Sequence, residues 1–170
     1  MPIRPEKRSD CSRCAALCCI AYPAEKSPGF AASKRAGEAC PKLDRAGKCT
    51  IYGRRTEQGF SGCLEYECFG AGQHVVQELF GGRDWRDDPA LLSPMLECFL
   101  TVRKACDLLY LIDYARERGV PDRELATLAA LEEELVAIAG TREAPGSHAV
   151  LDRIERHLRS LFAGFDRAEA

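Results

Sequence analysis

Apolar residues recur at spacings of three and four along the C-terminal half of the chain, and the first 70 residues carry no such period. From residue 90 to about 118, Leu92, Met95, Leu96, Phe99, Val102, Cys106, Leu109 and Ile112 fall on one side of a helix that stops at Gly119. Only Pro94 threatens its continuity. Pro121 and Asp122 open a second helix, whose stripe of Leu125, Leu128, Leu131, Leu135 and Ile138 ends at Gly140. A third runs from about 148 to 165 on Leu151, Ile154, Leu158, Leu161 and Phe165. Three amphipathic helices joined by short loops predict antiparallel neighbours in a small bundle. Just upstream, residues 74–80 allow one or two helical turns before Gly81 and Gly82, and residues 84–89 read as a turn into the long helix.

Residues 1–73 have a different texture, rich in Gly, Pro, Ser and Cys, which predicts loops and short turns. Such a segment buries too little apolar surface to offset its conformational entropy, so another source of stability is required. Metal coordination is one, worth about 10 kcal/mol or more where binding and folding are coupled. The expected fold is therefore mainly α: an irregular Cys-rich metal-binding module over 1–73, packed on a small C-terminal helical bundle over 74–170.

The chain has ten cysteines, and eight of them, Cys11, Cys14, Cys18, Cys19, Cys40, Cys49, Cys63 and Cys68, precede residue 70. The first ten residues are charged and lack the apolar stretch of a secretory signal, which predicts a reducing, cytoplasmic setting where disulfides are the lesser use of thiols. With 46% hydrophobic and 29% charged residues, and no apolar run near the roughly 18 residues of a membrane span, no membrane association is expected. Cys11 and Cys14, two residues apart, can present both sulfurs to one tetrahedral ion at about 2.3 Å. With the six that follow, the segment offers thiolates for one four-ligand site or two, and all eight are candidate ligands. Adjacent residues rarely share an ion, so Cys18 and Cys19 are expected to differ in role. Cys98 and Cys106 lie within the apolar stripe of the long helix and read as small buried hydrophobes.

Charge adds little. Residues 1–70 carry 12 Lys and Arg against 8 Asp and Glu, a mild positive excess that suits thiolate compensation but not a nucleic-acid face. Among the histidines, His74 reads as a hydrogen-bonded residue at a helix start, and His148 and His157 as exposed. No His-Glu-x-x-His or related pattern supports hydrolysis, Glu65 and Glu67 read as solvated, and Gly70-Ala71-Gly72 is too short for a phosphate loop.

The run Cys11-x2-Cys14-x3-Cys18-Cys19, then Cys40-Pro41-x-Leu43, then Cys49-Thr50-Ile51-Tyr52-x-x-Arg55 resembles the YkgJ-type cysteine-cluster family, described as zinc- or iron-chelating. Extended by Cys68-Phe69-Gly70-Ala71-Gly72-Gln73, the segment is also similar to a cysteine-rich leader of some bacterial pentapeptide-repeat proteins. The resemblance implies metal binding by the matching cysteines in a bacterial cytoplasm, and implies no reaction. The chain departs from the family pattern in having three residues before the cysteine pair, and Thr56 rather than Pro after Arg55. None of the five-residue repeats is present.

The expected function is a thiolate-ligated zinc site with a structural or regulatory role. An iron-sulfur cluster serving electron transfer or a redox enzyme is the alternative metal chemistry. A thiol or metal switch, in which the helical half holds a protein partner, is a third reading.

Overall fold

The computed structural model describes residues 2–168, with side chains as far as 165. Three long helices dominate it: α4 (Leu92–Arg118), α5 (Asp122–Ala139) and α6 (Ser147–Ala168). They follow the apolar periods, and α4 and α5 stop at the expected breakers: Gly119, in the left-handed region, ends α4 and Gly140 ends α5. Pro94 does not interrupt α4. It is the third residue of the helix, where an N–H has no intrahelical partner to lose.

Upstream lie α1 (Leu17–Ala21), α2 (Gly62–Glu65) and α3 (Ala71–His74), the last running straight into a π-helical turn over Val75–Leu79. Short 3-10 turns occupy Cys11–Arg13, Tyr52–Arg54 and Pro89–Leu91. Among the described residues there is no β-strand, only isolated bridges joining Ala24 to Lys34, Ser27 to Phe30 and Leu43 to Cys49. The chain is mainly α, as its periodicity predicts.

α4 is the centre of the molecule. It packs on α5 and α6 along one side and on α1 and α3 along another. Burial of α4 is consequently wider than its predicted stripe: Cys98, Ala105, Leu108 and Ala115 are enclosed alongside Met95, Phe99, Val102, Cys106, Leu109 and Ile112. Leu125, assigned to the stripe of α5, is instead 43% exposed. At 100° per residue it lies about 120° around the helix from Leu131, off the face that meets α4.

Ala15, Leu17, Cys68, Ala71, Val75, Val76 and Phe80 belong to the same buried cluster as the core residues of α4, α5 and α6. The cysteine-rich segment is therefore bound to the bundle through a shared core, and position 73/74 falls inside the continuous α3 turn. The first ten residues strap the two parts together. Arg4 forms ion pairs of 2.7 Å with Asp113 on α4 and with Glu132 on α5, and Lys7 pairs with Asp113 at 2.9 Å. Gln73 then holds the strap from α3, donating to the Arg8 carbonyl and accepting from the Asp10 N–H.

Candidate metal centre

Asp10 caps the first cysteine turn, accepting the Ser12 N–H at 2.9 Å, and the Cys14 N–H closes it on the Cys11 carbonyl at 3.5 Å. Ala15 and Leu17, both fully buried, plug this turn into the core. Between them Ala16 adopts φ +56°, a left-handed step that redirects the chain into α1 and places Cys18 and Cys19 on a helix rather than an extended strand. Their sulfurs are 4.0 Å apart.

Loops bring the later cysteines back to α1. The Lys34 ammonium joins the C-terminal end of α1 to the following loop, donating to Ile20 O at 3.1 Å and to Glu38 O at 2.9 Å. That closure sets the Cys40 N–H on the Cys19 carbonyl at 3.1 Å. A tight loop follows, in which Leu43 N–H bonds to Cys40 O at 3.0 Å, Leu43 bridges to Cys49, and Thr50 N–H bonds to Lys42 O at 2.9 Å. Cys40 and Cys49 are thereby fixed side by side. Arg55 then serves as a clamp: its guanidinium stacks 4.1 Å from the Tyr52 ring, bonds to Tyr52 O at 2.8 Å and reaches Cys63 O at 3.4 Å.

Cys68 is held from the other direction. The Ser9 hydroxyl lies 2.8 Å from its sulfur and accepts its N–H at 3.1 Å, while Glu67 accepts from Ser9 and from the Phe69 N–H. Phe69 and Gly70 follow with φ of +47° and +77°, which turn the chain sharply into α3. Gly72 in α3 is required by sulfur: a Cβ there would stand 2.6 Å from Cys14 Sγ and 3.9 Å from Cys68 Sγ. Cys14 and Cys68, 54 positions apart, thus converge over one bare helix face.

Electrostatics report the same gathering. Burial pushes the Cys14 thiol up to about 12, and the charges of Cys68 and Cys11 act in the same direction. Burial likewise raises Cys11, reinforced by Cys19 and Cys68, and it raises Cys40 and Cys63, each reinforced by Cys19 and Cys49. In the adjacent pair the proton resides on Cys18, raised first by its hydrogen bond to Cys19 and then by burial. Cys19 is lowered by that bond and by the positive charges of Lys34 and Arg55. Thiols gathered beside the fixed cations Lys34 and Arg55 form the donor type a soft divalent ion or an iron cluster prefers. As the side chains stand, no group of three or more Cys, His, Asp or Glu among the described residues is closed around one point.

The other sequence candidates fall outside this cluster. His74 is buried and bonds through Nε2 to the Ala139 carbonyl at 3.0 Å, so it is hydrogen-bonded as expected, although it ends α3 rather than starting a helix. Cys98 and Cys106 are 4% and 2% exposed in the core, raised by burial to about 11 and about 12. His148 is exposed, whereas His157, expected to be exposed too, is half-buried with Glu124 at 3.8 Å. Glu65 is exposed, and Glu67 is exposed yet organises the Ser9 and Phe69 turn. The residues missed from sequence are Ser9, Lys34 and Gly72. The short Gly70-Ala71-Gly72 run was the nearest signal for Gly72, and its use is close packing rather than phosphate binding.

The chain is 39% identical over 107 residues to a Bacillus subtilis (strain 168) protein named "Uncharacterized protein YybG". The match takes in 63% of this chain and spans 38% of the length of that relative. No family model and no solved structure matches the chain.

Proposed function

We propose that residues 11–68 form a thiolate metal-binding module, with zinc as the resident ion, that is structural for the loops it crosses and docks on the helical bundle. The observation that carries this reading is the return of cysteines from 58 positions of chain to one another: Cys18 and Cys19 with sulfurs 4.0 Å apart, Cys14 and Cys68 together over Gly72, and Cys40 bonded to the Cys19 carbonyl beside the Leu43 to Cys49 bridge. Hydrophobic packing alone does not account for it, because Cys11 is exposed and Cys40, Cys49 and Cys63 are half-buried, outside the apolar core. The residues that would hold the ion are the eight cysteines of this segment, with Arg55 and Lys34 supplying compensating charge. Bound zinc would supply fixed charge and tetrahedral geometry without redox chemistry.

The same donors suit an iron-sulfur cluster, the second reading, which is favoured by the full complement of eight thiols. The experiment that tests the module is chelation under anaerobic conditions. α4, α5 and α6 hold 27, 18 and 22 residues, while α1 and α2 hold 5 and 4. Metal removal should therefore collapse the amide proton dispersion of residues 11–68 while far-ultraviolet circular dichroism stays largely helical. An amide spectrum indifferent to chelator would refute the module.

A further inference from the structure

Eight thiols can serve one ion or several, and the backbone contacts divide them into two sets of four. Cys11 and Cys14 share one 3-10 turn. Cys14 and Cys68 meet over Gly72. Cys18 begins the turn after Leu17 and packs, like Cys14, against the buried cluster that contains Cys68. On the other side, the Cys40 N–H is bonded to the Cys19 carbonyl, and the Leu43 to Cys49 bridge returns Cys49 beside Cys40. Arg55, bonded to the Tyr52 carbonyl three residues after Cys49, reaches the Cys63 carbonyl at 3.4 Å. The sets touch where Cys18 and Cys19 stand with sulfurs 4.0 Å apart.

We infer that the cluster comprises two adjacent four-thiolate metal sites, an inner one of Cys11, Cys14, Cys18 and Cys68 and an outer one of Cys19, Cys40, Cys49 and Cys63, with the 18–19 peptide as their common wall. This rests on the metal-binding reading above and adds the number of ions and the ligands of each. Consecutive residues of a helix point about 100° apart, so Cys18 and Cys19 are directed to different ions by the helix itself.

The two sites differ in what they hold. The inner set abuts Ala15, Leu17 and Ala71, all at 0% exposure, and Cys68 is itself 7% exposed, so an ion there ties the N-terminal turn to α3 and the bundle. The outer set contributes no residue to the buried core, and an ion there staples only the loops between α1 and α2. Cys11 is the exposed member of the inner set, but its other three thiols lie in or against the buried cluster, so the outer ion exchanges with solvent chelators first and the inner one is retained.

The test is a count of zinc ions by native mass spectrometry on the full chain, loaded anaerobically with zinc alone. The expected result is two ions in the wild type, released in two phases by a chromophoric chelator. Cys40→Ser with Cys49→Ser should retain one ion and lose the fast phase, because both changes fall in the outer set. Cys14→Ser with Cys49→Ser, one change in each set, should retain none. If the Cys14→Ser, Cys49→Ser variant fails to fold, the outer double variant decides alone. One ion in the wild type, or loss of both ions from the outer double variant, would overturn the partition and leave a single thiolate site standing. A wild-type chain that takes up no zinc would overturn the metal-binding reading itself.

Discussion

Replacing Gly72 by alanine separates a ligand role for Cys14 from simple space filling. The new methyl would stand 2.6 Å from Cys14 Sγ, too close for both atoms to stay in place. Alanine in a helix is favoured over glycine by about 1 kcal/mol. Without metal, the Cys14 sulfur can turn away about χ1, at about 0.5–1.5 kcal/mol if the new rotamer is poor. The two effects nearly cancel, so the metal-free variant should unfold within about 1 kcal/mol of the wild type. With zinc bound the sulfur cannot turn without leaving the ion. A change in the groups that position a ligand typically weakens metal binding about 10- to 100-fold, or roughly 1.4–2.7 kcal/mol. The assay is guanidinium unfolding of the helical signal with excess zinc and with chelator, alongside zinc competition against a chromophoric chelator. The reasoning is refuted if Gly72→Ala leaves zinc affinity within about twofold of the wild type, since a displaced ligand requires about 10-fold or more.

Phe99, fully buried on α4 and edge-on to Tyr22 at 6.1 Å, joins the bundle to the cysteine module, and Phe99→Ala should cost about 3–5 kcal/mol in chemical denaturation; a loss under about 1 kcal/mol would contradict the shared core. Burial raises the Asp113 carboxyl, but hydrogen bonds from Arg4 and Lys7 outweigh it and leave the pKa below the ordinary value. A carboxyl lowered in the folded state contributes stability above its unfolded value near pH 4, and that contribution is lost as pH falls through the folded value. Asp113→Asn should therefore be less stable than the wild type near about pH 6 and converge with it below about pH 3, and a pH-independent difference would contradict the strap. Cys106→Ala should leave zinc stoichiometry unchanged while lowering stability by about 1 kcal/mol, as loss of a small buried side chain does; loss of an ion by mass would place Cys106 among the ligands.

The helices were legible because a period of 3.6 leaves its mark whenever one face is buried, and the limits of 90–118 and 121–140 needed only Gly and Pro to be read. What the pattern concealed on α4 follows from its position. Cys98, Ala105, Leu108 and Ala115 are buried because α4 has packed neighbours on more than one side, which no single stripe encodes. Leu125 misled in the opposite sense, an apolar residue in the right period but turned off the contact face. At the candidate centre the cysteines announced themselves by number and spacing. Their grouping did not, because Cys14 and Cys68 are brought together by the turn at Phe69 and Gly70 and by the missing side chain of Gly72, relations between distant residues that spacing cannot express. Ser9 was silent for a similar reason: a serine in a charged leader carries no sign that its hydroxyl will sit 2.8 Å from Cys68 Sγ.

The most direct measurement of the central claim is metal content together with an absorption spectrum on one anaerobically purified sample. The account predicts zinc in a whole-number ratio to the chain, no visible band, and eight thiols that react with a thiol reagent only after chelation. Iron with acid-labile sulfide and a broad band near about 400 nm would replace zinc by a cluster on the same thiols. A metal-free protein whose cysteines titrate freely while the 11–68 segment keeps its fold would contradict the account.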